Sequence, residues 1–208
     1  MISAHEALER LREGNRRFVS EVRNCDPHER RARRLELTTG QEPHAIILGC
    51  SDSRVPAELV FDQGLGDLFV IRVAGNIVAP SQVGSVEFAA EQYGTRLVVV
   101  LGHSECGAIL ATLETLGRPP DAHSWNLRAI VDRIRPSVES LLSAEPGLRP
   151  EELVQQAVRA NIRVSADHLR HGSVILEKLI REDGLLVVGA DYSLETGIVD
   201  FFDGSPLL

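Results

Sequence analysis

The chain is short of cysteine, of long apolar runs and of basic charge, and each shortage removes a class of protein. No apolar stretch in its 208 residues approaches the ~20 needed to span a bilayer. The opening segment Met1-Ile2-Ser3-Ala4-His5-Glu6 lacks a basic region followed by an apolar core, so no secretory signal is expected. Three cysteines cannot build a disulfide framework and suit a reducing compartment, which makes a cytoplasmic location the expectation. A net charge of −8 argues against a broad nucleic-acid-binding face. The basic run Arg30-Arg31-Ala32-Arg33-Arg34 is flanked by Glu29 and Glu36 and reads as a solvated helical face. Repeats, low-complexity segments and linkers are also missing. One domain over 1–208 is expected, an N-terminal helical arm over 1–43 preceding an α/β core over 44–208.

What is present fits that size. Hydrophobic residues make up 43% and charged residues 25%, the balance of a soluble globular protein. Ser3-Ala4-His5-Glu6 is a capping-box pattern opening a helix to about Phe18, with Ala7, Leu8 and Leu11 on one face. Its arginines suit an arm lying on a partner subunit or a solvated surface helix. After loop and short helix to Pro43, buried strands are expected from about Ala45 to Gly49, Leu68 to Val73, Leu97 to Leu101 and Leu185 to Gly189. A fifth, from Ile198 to Phe202, follows a Thr196-Gly197 turn and should pair antiparallel. Helical patterns fill the intervals: a turn at Pro56–Phe61, then Gln82–Tyr93 capped by Ser81 and stopped at Gly94, with Val83, Val86, Phe88, Ala89 and Ala90 as its apolar positions. Gly107–Leu116 follows, then a surface loop at 117–121, then Trp125–Leu142, Glu151–Leu169 and Val174–Arg181. The fold class is therefore α/β, a mostly parallel sheet of four strands plus an antiparallel edge strand with helices on both faces.

Two segments carry the chemistry. Gly49-Cys50-Ser51-Asp52-Ser53-Arg54 follows the first apolar run, and Gly102-His103-Ser104-Glu105-Cys106-Gly107 follows the third. Cys50, His103 and Cys106 therefore fall at strand carboxyl ends, where ligands collect in open α/β sheets. His103-x-x-Cys106 is a chelating spacing, and two thiolates with one imidazole form a soft three-ligand set suited to zinc. Three protein ligands leave the fourth position for water or substrate, as in catalytic rather than structural sites. Asp52 and Arg54, two apart, are close enough for a salt bridge. Cys25 is left without a partner.

Together with Phe69-Val70-Ile71-Arg72-Val73-Ala74-Gly75-Asn76, these segments resemble the β-class carbonic anhydrases from about Gln41 to Ala108, and more weakly to both ends, the tail Gly189-Ala190-Asp191-Tyr192 included. The resemblance implies one zinc per chain on Cys50, His103 and Cys106, and reversible hydration of carbon dioxide to bicarbonate and a proton by zinc-bound hydroxide. It makes Asp52 and Arg54 the catalytic dyad that orients the zinc-bound solvent; in some members the aspartate swings onto zinc and closes the site. Gln41, Phe69, Ala74, Phe88 and Gly107 fall at substrate-pocket positions, with Gln41, Phe69 and Phe88 reaching the neighbouring chain's zinc, so a homodimer or dimer of dimers is implied. Phe88 stands where plant members have tyrosine. Ile47 replaces a tryptophan of the bicarbonate-inhibited subtype, although Arg72 and Tyr192 match its two other bicarbonate contacts. Solvent rather than Asp52 is therefore the expected fourth ligand near neutral pH.

Three other readings stand beside this one. A cysteine-dependent phosphatase needs five residues between Cys and Arg, where Cys50 and Arg54 have three, and Asp52 would repel a phosphate. A zinc-binding regulatory protein without turnover needs a fourth strong ligand or a missing dyad. The same scaffold acting on carbon disulfide or carbonyl sulfide needs a restricted entry channel, and no extra tail suggests one.

Overall fold

Apolar runs too short for helices and too continuous for half-exposed strands form the centre of the molecule. The computed structural model describes residues 2–22, 27–116, 124–145 and 147–205. In chain order its elements are α1 (Ala4–Val19), α2 (Pro27–Glu36) with a 3-10 turn at Leu37–Thr39, β1 (Ala45–Gly49), α3 (Ala57–Val60) and β2 (Leu68–Arg72). A 3-10 turn at Ala74–Asn76 leads to α4 (Pro80–Gln92), β3 (Leu97–His103), α5 (Gly107–Leu116), α6 (Trp125–Ala144), α7 (Pro150–His171), α8 (Val174–Glu182), β4 (Leu186–Tyr192) and β5 (Val199–Asp203). The expected loop at 117–121 and Cys25 lie outside the described residues.

The sheet order is β2-β1-β3-β4-β5. The first four strands run parallel and β5 pairs antiparallel with β4, as expected. From β1 the chain steps outward to β2, then crosses back to place β3 on the other flank. Order reverses between β1 and β3, and the crevice at their carboxyl ends is where such sheets bind ligands. Every residue of β1 and β3 is buried, as a parallel sheet covered on both faces requires. β3 runs past the expected Leu101 because Gly102 and His103 continue to pair, with Asp191 and Tyr192.

Helices α4 to α8 cover one face, packing Val86, Ile109, Ile134, Ile162 and Leu176 onto Ile46, Leu48, Val98 and Val100. Here α7 approaches unusually closely. A Cβ on Gly102 would lie 2.5 Å from Ile162 Cδ1, and one on Gly189 would lie 2.7 Å from Ile162 Cγ2, so both strands need glycine under that side chain. On the opposite face, α1 and α3 cover Ala45, Ile47, Leu97 and Val99.

The stripe Ala4, Ala7, Leu8 and Leu11 on α1 packs on this chain's own sheet, its i, i+3, i+4, i+7 spacing matching an apolar face otherwise left open. Ser3 does cap this helix, its Oγ accepting from the Glu6 N–H. Two local expectations are corrected. Ser81 does not cap α4: Pro80, whose φ is preset for a first helical turn, starts the helix two residues earlier than expected, and Ser81 Oγ donates to Gln82 Oε1. Phe88 does not face the core with Val86, Ala89 and Ala90; it is 51% exposed. Among the described residues, no helix is long and apolar enough to cross a membrane.

Candidate metal centre

β1 delivers Cys50 directly after Gly49, and β3 ends on His103; both are buried at the point where strand order reverses. A turn through Ser104 and Glu105 then brings Cys106, also buried, to the start of α5. The two sulfurs lie 4.0 Å apart, and the ligand atoms of Cys50, His103 and Cys106 all fall within 4.8 Å of one another.

The imidazole is pre-set for coordination. Nδ1 lies 2.8 Å from the Ser104 carbonyl, which can only accept, so Nδ1 carries the hydrogen and Nε2 keeps a lone pair. Nε2 is buried and, among the described residues, has no hydrogen-bond partner. Such an atom costs roughly 1–3 kcal/mol unless something satisfies it, and a metal ion between it and the two sulfurs does so. Around Cys50 the environment favours thiolate. The hydrogen bond from the Cys106 thiol, opposed by burial and helped by His103 and the Gly75 and Asp52 N–H groups, pulls the Cys50 thiol down to about 4. The same contact and burial push Cys106 up, as two adjacent thiols sharing one proton must behave. A divalent cation removes that conflict by holding both as thiolates. Two sulfurs, one imidazole nitrogen and a position left for solvent suit zinc in kind and number.

Asp52 stands at the rim. Its Oδ1 accepts from the Arg54 backbone N–H at 3.0 Å and from Arg54 Nε at 2.9 Å, and Oδ2 accepts from Nη2 at 2.8 Å. The Arg54 guanidinium holds this carboxyl far below the ordinary carboxylate range. Nη2 also donates to the Glu105 carbonyl at 3.1 Å, tying the first ligand loop to the second. Oδ2 lies 3.8 Å from His103 Nε2, so the carboxylate faces the ligand cluster while remaining paired with Arg54.

Of the other sequence candidates, Ala74 sits in the 3-10 turn beside Gly75, whose N–H donates to Cys50 Sγ at 3.3 Å. Gly107 opens α5 directly after Cys106. Gln41, Phe69 and Phe88 gather separately. Phe69 and Phe88 ring centres are 6.2 Å apart, both pack on Tyr93, and Gln41 Nε2 donates to Tyr93 Oη at 3.0 Å. Arg72 is already engaged: Nε donates to the Cys50 carbonyl at 2.9 Å and Nη2 to the Asp52 carbonyl at 2.5 Å, bracing the ligand loop. Ile47 and Tyr192 are buried in the core under α1 and α3.

Sequence reasoning missed three contributors: the Ser104 carbonyl fixes the tautomer of His103, the Gly75 N–H contacts the Cys50 sulfur, and Tyr93 organises the aromatic group. Arg72, singled out in the sequence as a bicarbonate contact, instead braces the Cys50 loop. Backbone groups leave no residue-type signal. Tyr93 could have been found only as a polar position next to an apolar run.

A family model described as carbonic anhydrase matches residues 45–199. Carbonic anhydrase 2 of Mycobacterium tuberculosis is 40% identical over 194 residues, covering 92% of this chain and 89% of the relative. The carbonic anhydrase of Mycolicibacterium smegmatis is 38% identical over 195 residues, covering 93% and 91%. Among solved structures, the β-carbonic anhydrase CafA of Aspergillus fumigatus aligns with a TM-score of 0.76 at 26% identity, covering 86% of this chain and 85% of that one.

Proposed function

The chain belongs to the carbonic anhydrase family, and from that premise we propose that Cys50, His103 and Cys106 hold one zinc ion and that Asp52 and Arg54 orient the attacking water. The protein is a lyase of the β class that interconverts carbon dioxide and bicarbonate with release of a proton. Its relatives are carbonic anhydrases, which favours this activity over carbon disulfide hydrolysis, phosphate-ester hydrolysis or a silent regulatory role.

The observation that carries the zinc reading is His103 Nε2, buried and without a hydrogen-bond partner among the described residues, in a cluster with two sulfurs. Bound there, zinc would acidify water so that a nucleophile exists near neutral pH. The remaining work falls to the chain. Asp52 Oδ2, kept ionised by Arg54, accepts the hydrogen of the attacking water and so aims its lone pair at the carbon. Arg54 also prevents Asp52 from taking the solvent's place, since the carboxylate accepts three hydrogen bonds while it stays with Arg54. Ala74 supplies apolar wall, and the Gly107 N–H, at the start of a helix, is a donor for a developing bicarbonate oxygen.

The pocket is completed by a second copy of the chain. Phe69, Phe88 and Tyr93 present an aromatic group with Phe88 half-exposed, and Gln41 brings an amide to its edge. In a homodimer these residues would face the partner's metal centre, giving a small apolar substrate a hydrophobic wall and one amide donor. A reducing, cytoplasmic location suits a site whose two thiols must stay reduced.

The test is zinc content per chain measured alongside stopped-flow carbon dioxide hydration, for the parent and Cys106→Ser. One zinc per chain is expected in the parent, with both metal and turnover lost in the variant. A Cys106→Ser protein with full zinc and full turnover refutes the assignment.

A further inference from the structure

The buried face of α7 is apolar apart from Ser165 and, near its middle, Asn161, which is 2% exposed. A buried amide is costly unless it is bonded, so its partner matters. Asn161 Nδ2 donates to the Gly75 carbonyl at 2.8 Å, and the N–H of that same glycine donates to Cys50 Sγ at 3.3 Å. Gly75 holds φ +70° and ψ 21°, a left-handed conformation, and a Cβ there would lie 2.8 Å from Ile134 Cδ1. The turn is tethered on its other side by Asn76 N–H to the Val73 carbonyl and Val73 N–H to the Gly49 carbonyl. The next residue, Ile162, packs closely over Gly102 and Gly189 and anchors this turn of α7 on the sheet.

We propose that Asn161 is a positioning residue for the metal centre: it locks the Gly75 residue so that its N–H stays on the Cys50 sulfur. This rests on Cys50 being a metal ligand. An N–H···S bond withdraws electron density from a thiolate, so Cys50 donates less charge and the bound cation stays more electrophilic. The need is greatest where two thiolates already cancel a 2+ charge. Asn161 thereby acts on the reaction from α7, through one glycine and without touching substrate.

Cobalt(II) in place of zinc reports on this directly, because the thiolate-to-metal absorption in the near ultraviolet shifts with charge on sulfur. In cobalt-loaded Asn161→Leu, which keeps the side-chain volume and removes the donor, this band should move to longer wavelength. Cobalt affinity measured by chelator competition should fall roughly 10- to 100-fold. Asn161→Ser, gentler on packing, should move both readouts in the same direction by less. Asn15→Leu is the structural control: Asn15 is equally buried and clamps Val60, Gly197 and Val199, none of them in the metal cluster. It should lower the melting temperature and leave the band in place. An unmoved band and unchanged affinity in both Asn161 variants, or an equal shift in Asn15→Leu, overturns the proposal. Parent protein that binds cobalt no better than Cys106→Ser overturns instead the metal reading on which it rests.

Discussion

Replacing Arg54 with alanine isolates what the dyad does. In the structure three bonds hold the Asp52 carboxylate: Arg54 Nε and the Arg54 backbone N–H on Oδ1, and Nη2 on Oδ2. Arg54→Ala removes the two guanidinium bonds and keeps the backbone one, so Oδ1 stays tethered and Oδ2 is released. Oδ2 is the oxygen 3.8 Å from His103 Nε2 and needs only a small rotation to become a fourth ligand. The variant should therefore keep its zinc and lose turnover. Orientation and acid–base effects of this kind span about 10²–10⁴-fold, and the surviving tether argues for a loss of roughly 10²-fold. Arg54→Lys restores charge but not the two-pronged geometry and should recover only part of the loss. The assay is stopped-flow hydration across pH, with metal content measured on the same samples. A crystal structure near neutral pH should show Asp52 on the metal in Arg54→Ala and on Arg54 in the parent. Turnover equal to the parent at every pH would refute the argument and leave the ion pair as loop scaffolding.

Phe88→Asp places a charge in the exposed aromatic group with Phe69 and Tyr93; sedimentation should show monomer, with zinc retained and turnover lost, and a fully active monomer would exclude a shared pocket. Ile162→Ala should cost about 2–5 kcal/mol in denaturant unfolding, because the glycines beneath Ile162 offer no side chain to refill the space; a cost below about 1 kcal/mol would contradict that packing account. Burial, partly opposed by Asp67 and reinforced by Arg10, lowers the His44 pKa below its ordinary 6.5. The unfolded chain then takes up the proton first, so this contribution is complete above pH about 6.5 and declines as pH falls through that value. A melting temperature that falls less steeply over this acid limb in His44→Gln than in the parent would bear this out, and identical limbs would not.

The candidate cluster of Cys50, His103 and Cys106 and the strands that carry it were legible along the chain, and for one reason. Both are written in local patterns: the apolar runs before Cys50 and His103 can only be buried strands, and a residue that directly follows such a strand is fixed at its carboxyl end. Chelating spacing at His103 and Cys106 and the two-residue spacing of Asp52 and Arg54 are likewise readable along the chain. Partners distant in sequence were decided by tertiary structure alone. Residue types do not reveal that Asn161 on α7 meets Gly75, that Arg72 reaches back to the Cys50 and Asp52 carbonyls, or that the Ser104 carbonyl sets the His103 tautomer. These are bonds to backbone groups, which every residue carries and no pattern marks. Whether an apolar position faces inward also depends on what is packed against it. Phe88 reads as core on a helical wheel and lies half-exposed, because burial is decided by neighbouring elements and not by the helix that carries the residue.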